Sequence, residues 1–136
     1  MLIESYLTFN GNCAEAMRFY ERTLGGKIEM MMTHGQAPDQ SRVKPAWKNL
    51  VLHARILLGG TALAGADIPK AEPMRSAYLT LGVDSDSEAE RIFSSLSDGG
   101  QVLMPMEETF FASRFAMLRD KFGTSWMLLH PKPQRG

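Results

Sequence analysis

Apolar and polar residues alternate at Tyr6-Leu7-Thr8-Phe9, as a strand with two unlike faces requires. The pattern then changes period. Cys13, Ala16, Met17, Tyr20 and Leu24 recur at helical spacing and form one apolar stripe. Asn12 with Glu15 three residues on predicts the start of that helix, and Gly25-Gly26 its end. Three strand-like runs follow: 27–33, 49–58 and 61–66, with Gly59-Gly60 as a hairpin turn. The order then repeats. Tyr78-Leu79-Thr80-Leu81 alternates; Ser85 with Glu88 signals a helix start; Ala89, Ile92, Phe93 and Leu96 form its stripe; Gly99-Gly100 ends it. Strand-like runs at 101–106, 113–119 and 125–129 close the chain. The segments 34–47 and 68–75, each with two prolines, read as a long loop and a connector.

Three blocks match between the halves in the same order. Tyr6-Leu7-Thr8-Phe9 matches Tyr78-Leu79-Thr80-Leu81; Glu15-Ala16 matches Glu88-Ala89; Gly25-Gly26 matches Gly99-Gly100. Three blocks in order on equivalent elements point to duplication of a strand–helix–strand–strand–strand module of about 65 residues. The expected fold class is α+β: one domain over 1–136, with module one at 1–67, a connector at 68–75, module two at 76–130 and a tail at 131–136.

Composition adds exclusions. The 136 residues carry 15 Lys plus Arg and 15 Asp plus Glu, so no global field draws nucleic acid or anionic lipid. A single cysteine, Cys13, excludes an internal disulfide and any multi-cysteine zinc site, and fits a reducing compartment. No apolar run is long enough to span a bilayer and the first residues do not read as a signal peptide, so a cytoplasmic chain is expected, with no nucleic-acid or membrane partner. There is no glycine-rich fingerprint after a strand that would cradle S-adenosylmethionine.

Specific motifs carry a resemblance along nearly the whole chain. They are Tyr6-Leu7-Thr8-Phe9-Asn10-Gly11-Asn12-Cys13, Glu15-Ala16, Phe19-Tyr20, Leu52-His53-Ala54, Met104-Pro105, Glu108-Thr109-Phe110-Phe111 and Phe122-Gly123-Thr124-Ser125-Trp126-Met127. With the duplicated module, they resemble the vicinal oxygen chelate superfamily of glyoxalases, bleomycin-resistance proteins and dioxygenases. The similarity is to its PhnB-like, 3-demethylubiquinone methyltransferase-like branch. The resemblance implies a cup-shaped, partly open eight-stranded barrel with both helices on its outer face, and a homodimer.

It also implies where a metal would sit in the superfamily's metalloenzymes, on the first and last strands of each module. The matching positions are Tyr6, Ala64, Tyr78 and Met127. Hard divalent cations need carboxylate oxygen or imidazole nitrogen, which this quartet does not offer, so no metal and no cofactor are expected. If Tyr6 and Tyr78 face the cup, strand parity adds His53 and Arg55. Taking Phe115 and Met117 toward the helix adds Arg114 and places Trp126 under the helices. Tyr6, Tyr78, His53, Arg55 and Arg114 would then bind a small anionic or aromatic ligand, with arginine gripping an anion. The tyrosines could equally be core aromatics, His53 a structural histidine, and the arginines partners of Glu107 or Glu108. Whether the chain is an enzyme stays open: His53 is the one candidate general base, with Arg55 or Arg114 stabilising negative charge. The remaining alternative is a dimeric scaffold with a vestigial pocket. Cys13 reads as a small buried hydrophobe, and His34 and His130 as partners in no ligand pair.

Overall fold

The computed structural model describes residues 1–133. The chain divides into two compact units, Met1–Glu72 and Pro73–Gly136, and the division falls within the proline-containing connector. Each unit is one α-helix on one face of a four-stranded mixed sheet. The eight strands thus form two separate four-stranded sheets.

In the first unit the elements are β1 (Ser5–Phe9), α1 (Cys13–Leu24), β2 (Lys27–Thr33), β3 (Val51–Leu58) and β4 (Thr61–Asp67). The sheet order is β1-β4-β3-β2, with β1 parallel to β4 and the other pairs antiparallel. The stripe Cys13, Ala16, Met17 and Tyr20 is fully buried, and so are Ala54 and Ile56 of β3 beneath it. Gly65 of β4 is obligatory here: a Cβ would stand 2.6 Å from Met17 Cε and 2.7 Å from Leu7 O.

The N-terminus of α1 departs from the sequence reading. Asn12 makes no side-chain cap. The buried Asp67 carboxylate, from the end of β4, accepts instead from Gly11 N (2.9 Å), Cys13 N (3.0 Å) and Val51 N (2.9 Å). Gly25 ends the helix in the left-handed conformation, as its position suggests. The 34–47 segment is not featureless; it holds two short 3-10 turns, His34–Gln36 and Pro45–Trp47.

The second unit repeats the plan with β5 (Leu79–Gly82), α2 (Asp86–Ser97), β6 (Gln101–Glu107), β7 (Ala112–Arg119) and β8 (Ser125–Pro131), in the order β5-β8-β7-β6. Here the cap is local: Ser85 Oγ accepts from Glu88 N at 3.1 Å. Ala89, Ile92 and Leu96 of α2 bury against Ala116, Leu118 and Leu128. Trp126 is buried as expected, and its Nε1 donates to the buried Asp120 carboxylate at 2.9 Å. Strand β8 runs into the expected tail, taking in Pro131, while 134–136 lie outside the described residues. No helix among the described residues is long and apolar enough to cross a membrane.

Candidate functional site

With a helix on one face of each sheet, the other face is open. On the first unit it carries a connected polar group. Register sets Tyr6 opposite Ala64, and Ala64 opposite Arg55. Directly opposed residues share a face, so Tyr6 and Arg55 lie on the side away from α1. His53, two residues before Arg55, joins them, with Met32 as its partner across β2.

Tyr6 and His53 stack with ring centroids 5.7 Å apart and planes 20° from parallel, and Tyr6 Oη lies 3.2 Å from His53 Nδ1. Partial burial, helped by nearby Cys13, raises the Tyr6 phenol above its ordinary value. It therefore keeps its proton, and in the tautomer with hydrogen on Nε2 it donates that proton to Nδ1. Tyr6 remains 52% exposed, so the stacked pair presents a surface to solvent.

Arg55 differs from its expected role. Its guanidinium donates to Glu4 Oε1 at 2.9 Å and to Glu29 Oε2 at 3.1 Å. One cation between two carboxylates leaves a local excess of negative charge, which does not favour an anion. A groove of about 330 Å³ continues from this residue, lined by Glu4, Leu57, Thr61 and the N-terminal Leu2 and Ile3.

On the second unit the sequence-based facing is reversed. Ala116 and Leu118 are fully buried, so Phe115 and Met117 take the open side. Arg114 shares the parity of the buried pair. Its Nε donates to Glu90 at 3.1 Å and its Nη1 lies 3.6 Å from Asp86, both on α2. Arg114 is therefore a helix-side ion-pair residue, not a lining residue of the open face. The cause is packing: small Ala116 and branched Leu118 fit beneath α2 better than Phe115, which instead packs edge-on against Phe111 at 5.3 Å. A register shift between Ala112 and Arg114 then turns the head of the strand.

Tyr78 stands one residue before β5 and is 37% exposed. The residue opposite Met127 is Thr80, as Tyr6 is opposite Ala64. The structural counterpart of Tyr6 is thus Thr80, two residues beyond the counterpart suggested by sequence identity. The pairs Tyr6 with Ala64 and Thr80 with Met127 supply two neutral hydroxyls and one thioether. That donor chemistry does not fit a hard divalent cation. No three His, Cys, Asp or Glu side chains gather as a metal site among the described residues.

One cluster had no signal in the sequence. His130 Nδ1 lies 2.8 Å from Asp86 Oδ1 and 2.9 Å from Ser113 Oγ, and Ser113 also donates to Asp86. These bonds from His130 and Ser113 hold the Asp86 carboxyl below its usual range. Both contacts of the imidazole fall on one nitrogen, so it cannot relay a proton from serine to aspartate. The residues are 17 to 44 positions apart and meet only through β7, β8 and α2. Trp47 was missed too; it packs against His34 (5.5 Å) and Lys44 (5.8 Å) in the loop.

Comparison with known proteins agrees with this architecture. Protein YjdN of Escherichia coli (strain K12) is 32% identical over 144 residues, covering 98% of each chain. The crystal structure of protein PA1353 from Pseudomonas aeruginosa superposes with a TM-score of 0.87 at 40% identity, covering 96% of this chain and 97% of that one. A glyoxylase/bleomycin resistance protein/dioxygenase domain from Frankia sp. EAN1pec shares the fold, with a TM-score of 0.67 at 15% identity over 97% and 98% of the chains. The family described as 3-demethylubiquinone-9 3-methyltransferase matches residues 2–129, and with glyoxalase-like folding of both units, the chain belongs to that family.

Proposed function

We propose that the chain binds a small aromatic ligand, without a divalent metal, on the open face of its first unit. The stacked, hydrogen-bonded and solvent-facing Tyr6–His53 pair carries the proposal. Aromatic faces with a polar edge hold flat ligands by offset stacking and one directed hydrogen bond. Met30 and Met32 offer adaptable apolar walls beside the pair. Because Arg55 is shared between Glu4 and Glu29, a neutral or cationic aromatic ligand suits the face better than the anion expected from sequence. A thermal-shift screen of aromatic compounds, with S-adenosylmethionine included, tests this. Hits should move the NMR signals of Tyr6 and His53, and Tyr6→Leu should weaken them about tenfold, roughly 1.4 kcal/mol. Hits indifferent to Tyr6→Leu would reject it.

The same pair favours a second reading, an enzyme with His53 as general base. With hydrogen on Nε2, the one basic nitrogen is Nδ1, which accepts from Tyr6, so His53 would draw a substrate proton by way of the Tyr6 hydroxyl, whose own proton passes to Nδ1. Turnover that vanishes in His53→Ala while ligand binding persists would select this reading. Both readings include pairing with a second copy of the chain.

A further inference from the structure

The open face of the second unit has a different chemistry. Met127 of β8 is the register partner of Met117 of β7, and Met117 is the register partner of Met104 of β6. Three methionines therefore form one row across three adjacent strands, on the side away from α2. Their strand neighbours Ala116, Leu118, Trp126 and Leu128 are buried on the other side. Directly opposed residues hold their Cβ atoms roughly 4.5–5.5 Å apart. Unbranched side chains rooted at that spacing, with sulfur beyond Cγ, can turn the outer two sulfurs inward over the central one.

The backbone isolates this row. Strand β6 shifts register between Val102 and Met104 and again between Met104 and Glu107, so Met104 is a single paired residue between two irregularities. Bulges of this kind re-aim a side chain. Thr80 ends the row with a hydroxyl, Phe115 stands beside Met117 on the same face, and Phe111 packs on Phe115. By register, Glu107 opposite Phe115 is the neighbouring carboxylate on that face.

Three neutral thioethers, one hydroxyl and an aromatic wall are poor ligands for hard ions. They are good ligands for a soft monovalent cation, whose charge the flanking ring and Glu107 offset. We propose that Met104, Met117 and Met127 bind one soft monovalent cation, Cu(I) or Ag(I), through their thioether sulfurs. Binding is pure coordination: no electron is transferred and no proton is released. It does not depend on the ligand site of the first unit.

Ag(I) is the probe, added to the full chain in a Cys13→Ala background that removes the thiol as a rival ligand. Titration should reach one ion per chain, and the ε-methyl NMR signals of Met104, Met117 and Met127 should shift together. Met117→Leu, close in volume, should lower the affinity at least tenfold, and Met127→Leu should do so independently. Met31→Leu, on the helix side opposite Ala54, should leave it unchanged. Cu(I), added anaerobically as its acetonitrile complex, should compete for the same three signals. The proposal is overturned if Ag(I) shifts Met30, Met32 or His53 instead, or if binding survives both leucine variants. It is equally overturned if the three signals do not move, which would leave the row as an apolar wall only.

Discussion

Cys13 shows how position decides the chemistry of a single side chain. It opens α1, where an exposed thiol would be acidified. Yet it is fully buried, and burial first, with the Asp67 carboxylate second, pushes it from 9.0 up to about 12. It is therefore a small hydrophobe rather than a nucleophile, as its place on the helix stripe indicates. The sign of the linkage follows. The folded chain keeps this proton at pH values where the unfolded chain loses it, so stability is intact below about pH 9 and falls as pH rises toward 12. Urea midpoints of the native chain and Cys13→Ala, compared at neutral and at alkaline pH, should show the native chain losing more; parallel losses would contradict the assignment. Tyr6 and His53 were legible for a related reason, since parity on two strands suffices to bring them together. The partners of Arg55 were not, because Glu4 and Glu29 reach it from outside its strand.

At the scale of elements, what could be read depended on where each stabilising contact originates. The α2 cap is three residues long and was visible. The α1 cap is supplied by Asp67, 54 and 56 positions away, and no local pattern encodes it. Asp67 also holds the first residue of β3, so one carboxylate joins a helix start to two strand ends. Asp67→Ala would leave three backbone N–H groups without that acceptor. With an unsatisfied buried donor costing about 1–3 kcal/mol, the expected loss is about 3 kcal/mol or more. Asp67→Asn keeps one oxygen and should fall between. Equilibrium urea unfolding measures both, and a loss under about 1 kcal/mol for the alanine variant would refute the tie. The reversed facing of β7 has the same origin: alternation names two sets of residues, and only packing against α2 decides which set is inside.

At the scale of the whole chain, duplication is the strongest signal in the sequence, and both units keep its topology. Identity nevertheless aligned Tyr78 with Tyr6, whereas strand register aligns Thr80 with it. A slide of two residues preserves which side is apolar, so hydrophobic pattern alone cannot detect it. The copies have also diverged in what they display: Tyr6, His53 and Arg55 on one open face, three methionines on the other. The outer strand β6 displays apolar surface as well, with Val102 45% and Leu103 37% exposed, and the loop that follows carries Phe110 at 92%. Outer strands are ordinarily blunted by charge, and β6 has only the interior Pro105 and the terminal Glu107 to do so. Since Pro105 lacks an N–H, a second copy of the chain would meet β6 chiefly through its side chains rather than through a continuous ladder. Light scattering should then give about 30 kDa, twice the 15.1 kDa chain. Val102→Lys with Phe110→Ser should return it to the single-chain mass while leaving the Tyr6–His53 pair intact by NMR. A native mass of one chain at micromolar concentration would remove the dimer from the proposal and leave both open faces to small ligands alone.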